Sequence, residues 1–127
     1  MNRIRDYKIM PVRGMEYSTN DINKLTLFKG ESLRHFTVKA VLFHQLRKLK
    51  HDVISEVEIP GLGVGDLIDL TLQIHYEIEF TQTKSIRDGK ADKYKRTGFD
   101  VIVIDCRKIP DDFKGMQKFL DPYIVVD

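Results

Sequence analysis

The sequence predicts an α/β domain: a central mixed β-sheet flanked by helices. Two observations carry that reading. A helical stripe is followed by three strand-like segments, and a second helical segment separates the third strand-like segment from a fourth. A helix in that position lets two strands of one sheet run parallel. The 127 residues suit a single core, read as one domain with an arm over 1–30, a core over 31–105 and a C-terminal helix and strand over 106–127.

Residues 1–30 show no sustained periodicity. Arg3, Arg5, Lys8 and Arg13 outnumber Asp6, and Pro11 and Gly14 interrupt the run. The expectation is an arm, or an irregular strand pair from Tyr7 to Met10 and Leu25 to Phe28. It either touches a phosphate backbone or a partner subunit, or is a loosely ordered terminus. From Glu31 the pattern turns helical: Leu33, Phe36, Ala40 and Phe43, then Leu42, Leu46 and Leu49, recur at three- and four-residue spacing. Arg34, Lys39, Arg47 and Lys48 are left for the solvent side. Glu31 and Ser32 suit a helix start, and the basic residues before Lys50 suit its end.

Three strands are expected next. Asp52 to Ile59 alternates and meets a Pro60-Gly61 turn, Asp66 to Leu72 follows a glycine-punctuated loop, and Ile74 to Thr81 is rich in branched and aromatic residues. Lys84 to Arg96 reads as a weakly amphipathic helix with Ile86 and Tyr94 inward, although Asp88-Gly89 is also a hairpin signal. Phe99 to Asp105 is apolar on both faces, as in a central strand covered on each side. A helix from Asp111 to Leu120 and a strand from Tyr123 to Val126 close the chain.

The net charge of +2 and pI near 8.6 neither demand nor exclude nucleic acid. The single cysteine, Cys106, excludes an intramolecular disulfide and reads as a buried thiol just after a strand. No apolar run approaches the roughly 20 residues that span a bilayer, and the N-terminus lacks a signal-peptide core. A cytoplasmic protein is therefore expected, encoded by a cell, a virus or a plasmid, with no membrane partner.

The chemistry concentrates in residues 63–84. Alternation sends Glu77 and Glu79 to one face with His75 and Thr81, and Ile74, Tyr76, Ile78 and Phe80 to the other. Asp66 opens the apolar face of the preceding strand, whereas Asp69 should face away from it. A carboxylate at the mouth of an apolar face is costly unless it binds something. Asp66 beside Glu77 supplies two hard oxygen ligands of the kind Mg²⁺ takes, leaving its other positions to water and phosphate. Such an ion activates water and stabilises charge on a phosphodiester. Downstream, Lys84, Arg87, Lys90, Lys93, Lys95 and Arg96 are opposed only by Asp88 and Asp92, a local excess suited to phosphate. The four histidines and Cys106 form no zinc spacing, and no Ser/His/Asp arrangement or phosphate-cradling glycine loop is present.

Over residues 31–105 the chain resembles the PD-(D/E)XK nuclease superfamily, the restriction-endonuclease-like fold that includes Holliday-junction resolvases. The resemblance rests on the helix, three strands, helix, strand order, on Asp66 in Gly-Val-Gly-Asp, and on Tyr-Glu-Ile-Glu-Phe. It implies an αβββαβ core and hydrolysis of DNA phosphodiester bonds with Mg²⁺ or Mn²⁺ by a homodimer. Asp66 and Glu77 correspond to the metal-binding acids, with Glu31 or Glu56 as an additional one and Gln82 as a polar neighbour. Lys84, Arg87, Lys90, Lys93, Tyr94 and Arg96 fall where members bind DNA or phosphate. The departure is Glu79, where members usually carry the catalytic lysine. The resemblance then implies that Lys84 or Lys90 supplies that charge while Glu79 adds a ligand. Otherwise the domain is an inactive nucleic-acid-binding or assembly module, or a protein-interaction domain.

Overall fold

The computed structural model describes residues 9–12, 15–59, 63–81 and 98–126. Their order is β1 (Ile9–Val12), β2 (Met15–Ser18), α1 (Leu33–Lys48), β3 (Val53–Ile59), β4 (Gly63–Asp69), β5 (Ile74–Glu79), β6 (Asp100–Asp105) and α2 (Phe113–Leu120). The strands form one sheet in chain order. Strands β3 to β6 are its mixed body: β3, β4 and β5 pair antiparallel, and β6 joins β5 in parallel. A β1–β2 hairpin extends this body through one pair, Glu16 with Glu58. An α/β architecture with a mixed sheet is thus present. The helix expected over Lys84 to Arg96 lies outside the described residues.

Helix α1 begins where a capping hydroxyl stands. Ser32 Oγ accepts the His35 N–H at 3.1 Å, and Asp112 caps α2 by accepting the Gly115 N–H at 2.8 Å. The inward face of α1 is rotated from the expected stripe. Val38, Val41, Leu42 and Leu46 are buried, while Leu33 is 80% exposed. Lys39, expected on the solvent side, is completely buried.

The main core lies between the sheet and both helices, with Leu42 and Leu46 of α1 and Met116 and Leu120 of α2 set against Leu67, Tyr76, Ile78 and Ile104. A smaller cluster of Ile54, Val57, Ile68 and Phe99 forms separately. Ile54 and Val57 share that cluster although three residues apart, which strict alternation forbids. The phase slips at Glu56, whose φ is +56°, a left-handed conformation uncommon outside glycine. That slip brings Glu56 to α1, where its carboxylate reaches Lys39.

Several expectations are corrected. Ile9–Val12 pairs with Met15–Ser18, and Leu25 to Phe28 form no strand. Strand β4 runs from Gly63 to Asp69, so it starts earlier than expected and Asp66 sits within it. His75, Glu77 and Glu79 are buried along with the apolar residues of β5, every residue of which is covered. Strand β6 is an edge among the described residues, and Val101, Ile102 and Val103 are only half-buried. In place of a final strand, Asp121–Tyr123 make a short 3₁₀ turn with Pro122 at its start. Cys106 is buried directly after β6, as its sequence position suggests.

Candidate active site

The site forms where β4 and β5 part company. Their ladder pairs Asp69 with Ile74, Ile68 with His75 and Leu67 with Tyr76. Beyond Leu67, carboxylates take the place of main-chain acceptors. Ile78 N–H donates to Asp66 Oδ2 at 2.8 Å, and Asp66 N–H donates to Glu77 Oε2 at 2.8 Å. His75 Nε2 stands 2.7 Å from the same Glu77 oxygen. An ionised carboxylate only accepts, so the imidazole nitrogen is the donor there. The fork thus satisfies buried amides with side chains and leaves room between the strands.

The N-terminal half of α1 lies over this fork. His35 and Lys39, four residues apart, share one side of α1, and Glu31, just before the Ser32 cap, meets both. His35 Nδ1 contacts Glu31 Oε2, and its Nε2 lies 3.3 Å from Asp66 Oδ2. Lys39 Nζ donates to Thr26 O at 2.7 Å, to Glu31 Oε1 at 2.9 Å, and to Glu56 Oε1. Glu56, Lys39, Glu31, His35 and Asp66 therefore form a line of alternating sign.

The electrostatics follow from that line. Burial alone would lower the pKa of His35, but hydrogen bonds and charges from Asp66 and Glu31 outweigh it and raise the value to about 9. Burial opposes the charge on Glu31, yet Lys39, the Phe28 N–H and His35 hold its carboxyl below the usual range. Burial raises Glu56, and Lys39 offsets that only in part.

A pocket of about 390 Å³ opens at the fork, lined by Glu31, His35, Glu56, Asp66 and Glu79, with Phe28 and Phe80 as its aromatic lining. The structure thus brings Asp66 together with Glu31, Glu56 and Glu79. Glu77 is 1% exposed and lies outside the lining, where it supports Asp66 through the Asp66 N–H. Asp69 lies apart, fully buried against His51 with Nδ1 to Oδ2 at 2.7 Å. Lys84, Arg87, Lys90, Lys93 and Arg96, with Gln82 and Tyr94, lie outside the described residues.

Carboxylate oxygens are the donors a hard divalent ion prefers, and the Asp66 and Glu79 pair matches the one or two protein carboxylates typical of Mg²⁺. No group of three or more His, Cys, Asp or Glu residues placed to hold a metal occurs among the described residues. Two of the acids, Glu31 and Glu56, are drawn together by Lys39. Lys39 and His35 are the residues that sequence reading missed here. The four-residue spacing of Glu31, His35 and Lys39 was the available signal.

A larger groove of about 580 Å³ lies between α1 and α2, with Lys48, Lys114 and Lys118 around Leu49, Ile124 and Val126. Its one acid, Asp121, accepts from Gln45 Nε2 at 2.7 Å, so it has no set of hard ligands to offer. No helix among the described residues is long and apolar enough to cross a membrane. Compared with known proteins, the chain matches no family model, no curated protein and no solved structure.

Proposed function

We propose that this chain is a metal-dependent nuclease of the restriction-endonuclease-like fold that hydrolyses DNA phosphodiester bonds, working as a homodimer. The observation that carries the reading is the meeting of Asp66 and Glu79 in one pocket at the fork of β4 and β5, backed by Glu77. In this reading Asp66 and Glu79 hold Mg²⁺ or Mn²⁺. The bound ion would polarise a water and stabilise charge on the phosphodiester.

The chain's own residues do the rest. Ile78 N–H fixes one oxygen of Asp66, and Glu77 fixes the main chain beneath it, so the ligand is held before substrate arrives. His35 stands beside Asp66, positively charged at neutral pH, and faces the pocket where a phosphate would lie. Lys29, which also lines the pocket, adds a second cation there. The basic segment with Lys84, Arg87, Lys90, Lys93 and Arg96 is assigned to the DNA backbone.

One observation favours a second reading, an inactive nucleic-acid-binding module. Lys39 and His35 already compensate Glu31, Glu56 and Asp66 within the chain. One assay series separates the two. Branched, single-stranded and duplex DNA are incubated with Mg²⁺ or Mn²⁺ and wild type, Asp66→Asn, Glu77→Gln or Glu79→Gln. The nuclease reading expects metal-dependent cleavage that Asp66→Asn and Glu79→Gln each reduce by about 10²-fold or more. Cleavage indifferent to Asp66→Asn sinks it. Salt-sensitive binding without cleavage selects the second reading.

A further inference from the structure

We infer that the buried ammonium of Lys39 occupies the position of a divalent cation, so that the pocket takes one such ion where its acids would otherwise gather two. Lysine is almost never fully buried unless paired, and Lys39 has no exposed surface at all. Its three N–H bonds point to a main-chain carbonyl, Thr26 O, and to two carboxylates, Glu31 and Glu56. Three donors meet three oxygens, which leaves the ammonium no spare valence and one fixed position. A carbonyl and two carboxylates around a compact charge is also the oxygen set of a hard metal ion.

The main chain is bent to make that set. Glu56 reaches Lys39 only because β3 slips phase at a left-handed residue, an arrangement that persists where the surroundings over-determine it. Asp66 stands opposite Glu56 at the same break in the β3–β4 ladder, and its carboxylate is turned instead to the Ile78 amide and to His35. The pocket acids therefore divide. Glu31 and Glu56 belong to the ammonium, and Asp66 and Glu79 face the remainder of the pocket. Lys39 is in these terms a positioning residue. It bridges the two inner acids without exchanging with solvent, and it confines an incoming ion to the Asp66 and Glu79 side.

The limit of one ion rests on the nuclease reading, whereas the ammonium's role as a cation stand-in does not. The test is a titration of the metal-free full chain with Mn²⁺ alone, in which free Mn²⁺ is followed by its paramagnetic resonance signal. Thermal melts run alongside with Mn²⁺ or with chelator. Wild type should take up no more than one Mn²⁺ in the pocket. Lys39→Met keeps the aliphatic stem, removes the charge and should bind one Mn²⁺ more than wild type. Its melting temperature should also rise with Mn²⁺ further than the wild-type value does. Lys39→Arg should count as wild type, and the triple variant Lys39→Met, Glu31→Gln, Glu56→Gln should lose the extra ion. An equal count in Lys39→Met and wild type overturns the inference, as does a second pocket ion in wild type. Should Lys39→Met fold only when Mn²⁺ is added, that rescue supports it. No ion in wild type but one in Lys39→Met keeps the stand-in and defeats the metal-dependent nuclease.

Discussion

The buried pair between His51 and Asp69 offers the sharpest test of how the sheet is tied to α1. His51 follows the C-terminus of α1 and is 1% exposed, while Asp69 ends β4 and is fully buried. His51 Nδ1–H donates to Asp69 Oδ2 at 2.7 Å, and Asp69 Oδ1 accepts the Leu72 N–H of the β4–β5 turn at 3.1 Å. His51→Ala removes the imidazole and strands a buried carboxylate, which should cost about 3–5 kcal/mol. That is a large part of the roughly 5–15 kcal/mol typical of a whole domain. Asp69→Asn keeps an oxygen for Leu72 and the shape of the side chain, so about 1–2 kcal/mol is expected. The double variant loses the charge together with its partner. It should therefore cost less than the two single changes added together, by about 1–3 kcal/mol of coupling. The chain has no Trp, so urea unfolding is best followed by far-ultraviolet circular dichroism, with midpoints compared at unchanged slope. A His51→Ala loss under about 1 kcal/mol, or simple additivity in the double variant, would refute the reasoning.

Three further outcomes are expected. His35 has its pKa raised from 6.5 to about 9, so its contribution is complete below pH 6.5 and disappears as pH rises through about 9. Stability should fall by up to about 3 kcal/mol across that window, and His35→Gln should flatten the fall; an unchanged slope in the variant contradicts the assignment. The Cys106 thiol, pushed up to about 12 chiefly by burial, should resist a disulfide reagent at pH 8 in the folded chain and react at once in urea. Rapid labelling of native protein would place it elsewhere. Gly115→Ala sets a Cβ 2.6 Å from Pro110 Cβ and 2.7 Å from Asp112 Oδ1, crowding the residue that caps α2. It should lower stability by about 1–3 kcal/mol, measurable as a reduced urea midpoint, with no loss arguing against the crowding.

Much of the fold was legible because it rests on periodicity. The strands β3, β5 and β6 lie where alternation and branched residues put them, β4 is displaced by three residues, and Ser32 and Asp112 cap their helices. The terminal Tyr123 to Val126 was misread because branched residues favour strands only when a neighbour supplies the ladder. At the site, alternation was expected to turn Asp69 away from Asp66, whereas the two are set apart along the sheet, Asp66 against His35 of α1 and Asp69 against His51 just past that helix. It could not foresee that Glu77 would lie outside the pocket while Glu79 lined it, since that depends on where two strands diverge. Lys39 was assigned to solvent by residue type, although it falls three residues after Phe36 and four before Phe43, within the expected apolar stripe. Glu56 gave no warning, because nothing in a strand-like run marks one residue as left-handed.

The fork between β4 and β5 gives the sheet a built-in reporter. The amide protons of Asp66 and Ile78 end on Glu77 and Asp66 carboxylates, so whatever draws electron density from those oxygens alters both amides. In a nitrogen-15 correlation spectrum these two resonances should shift together when a cation enters the pocket, while those of the intact ladder from Leu67 to Asp69 stay near their places. The same coupling runs in reverse. Loosening the strands at the fork loosens the carboxylates, so the site's affinity for its ligand is set partly by how firmly the sheet is closed below it.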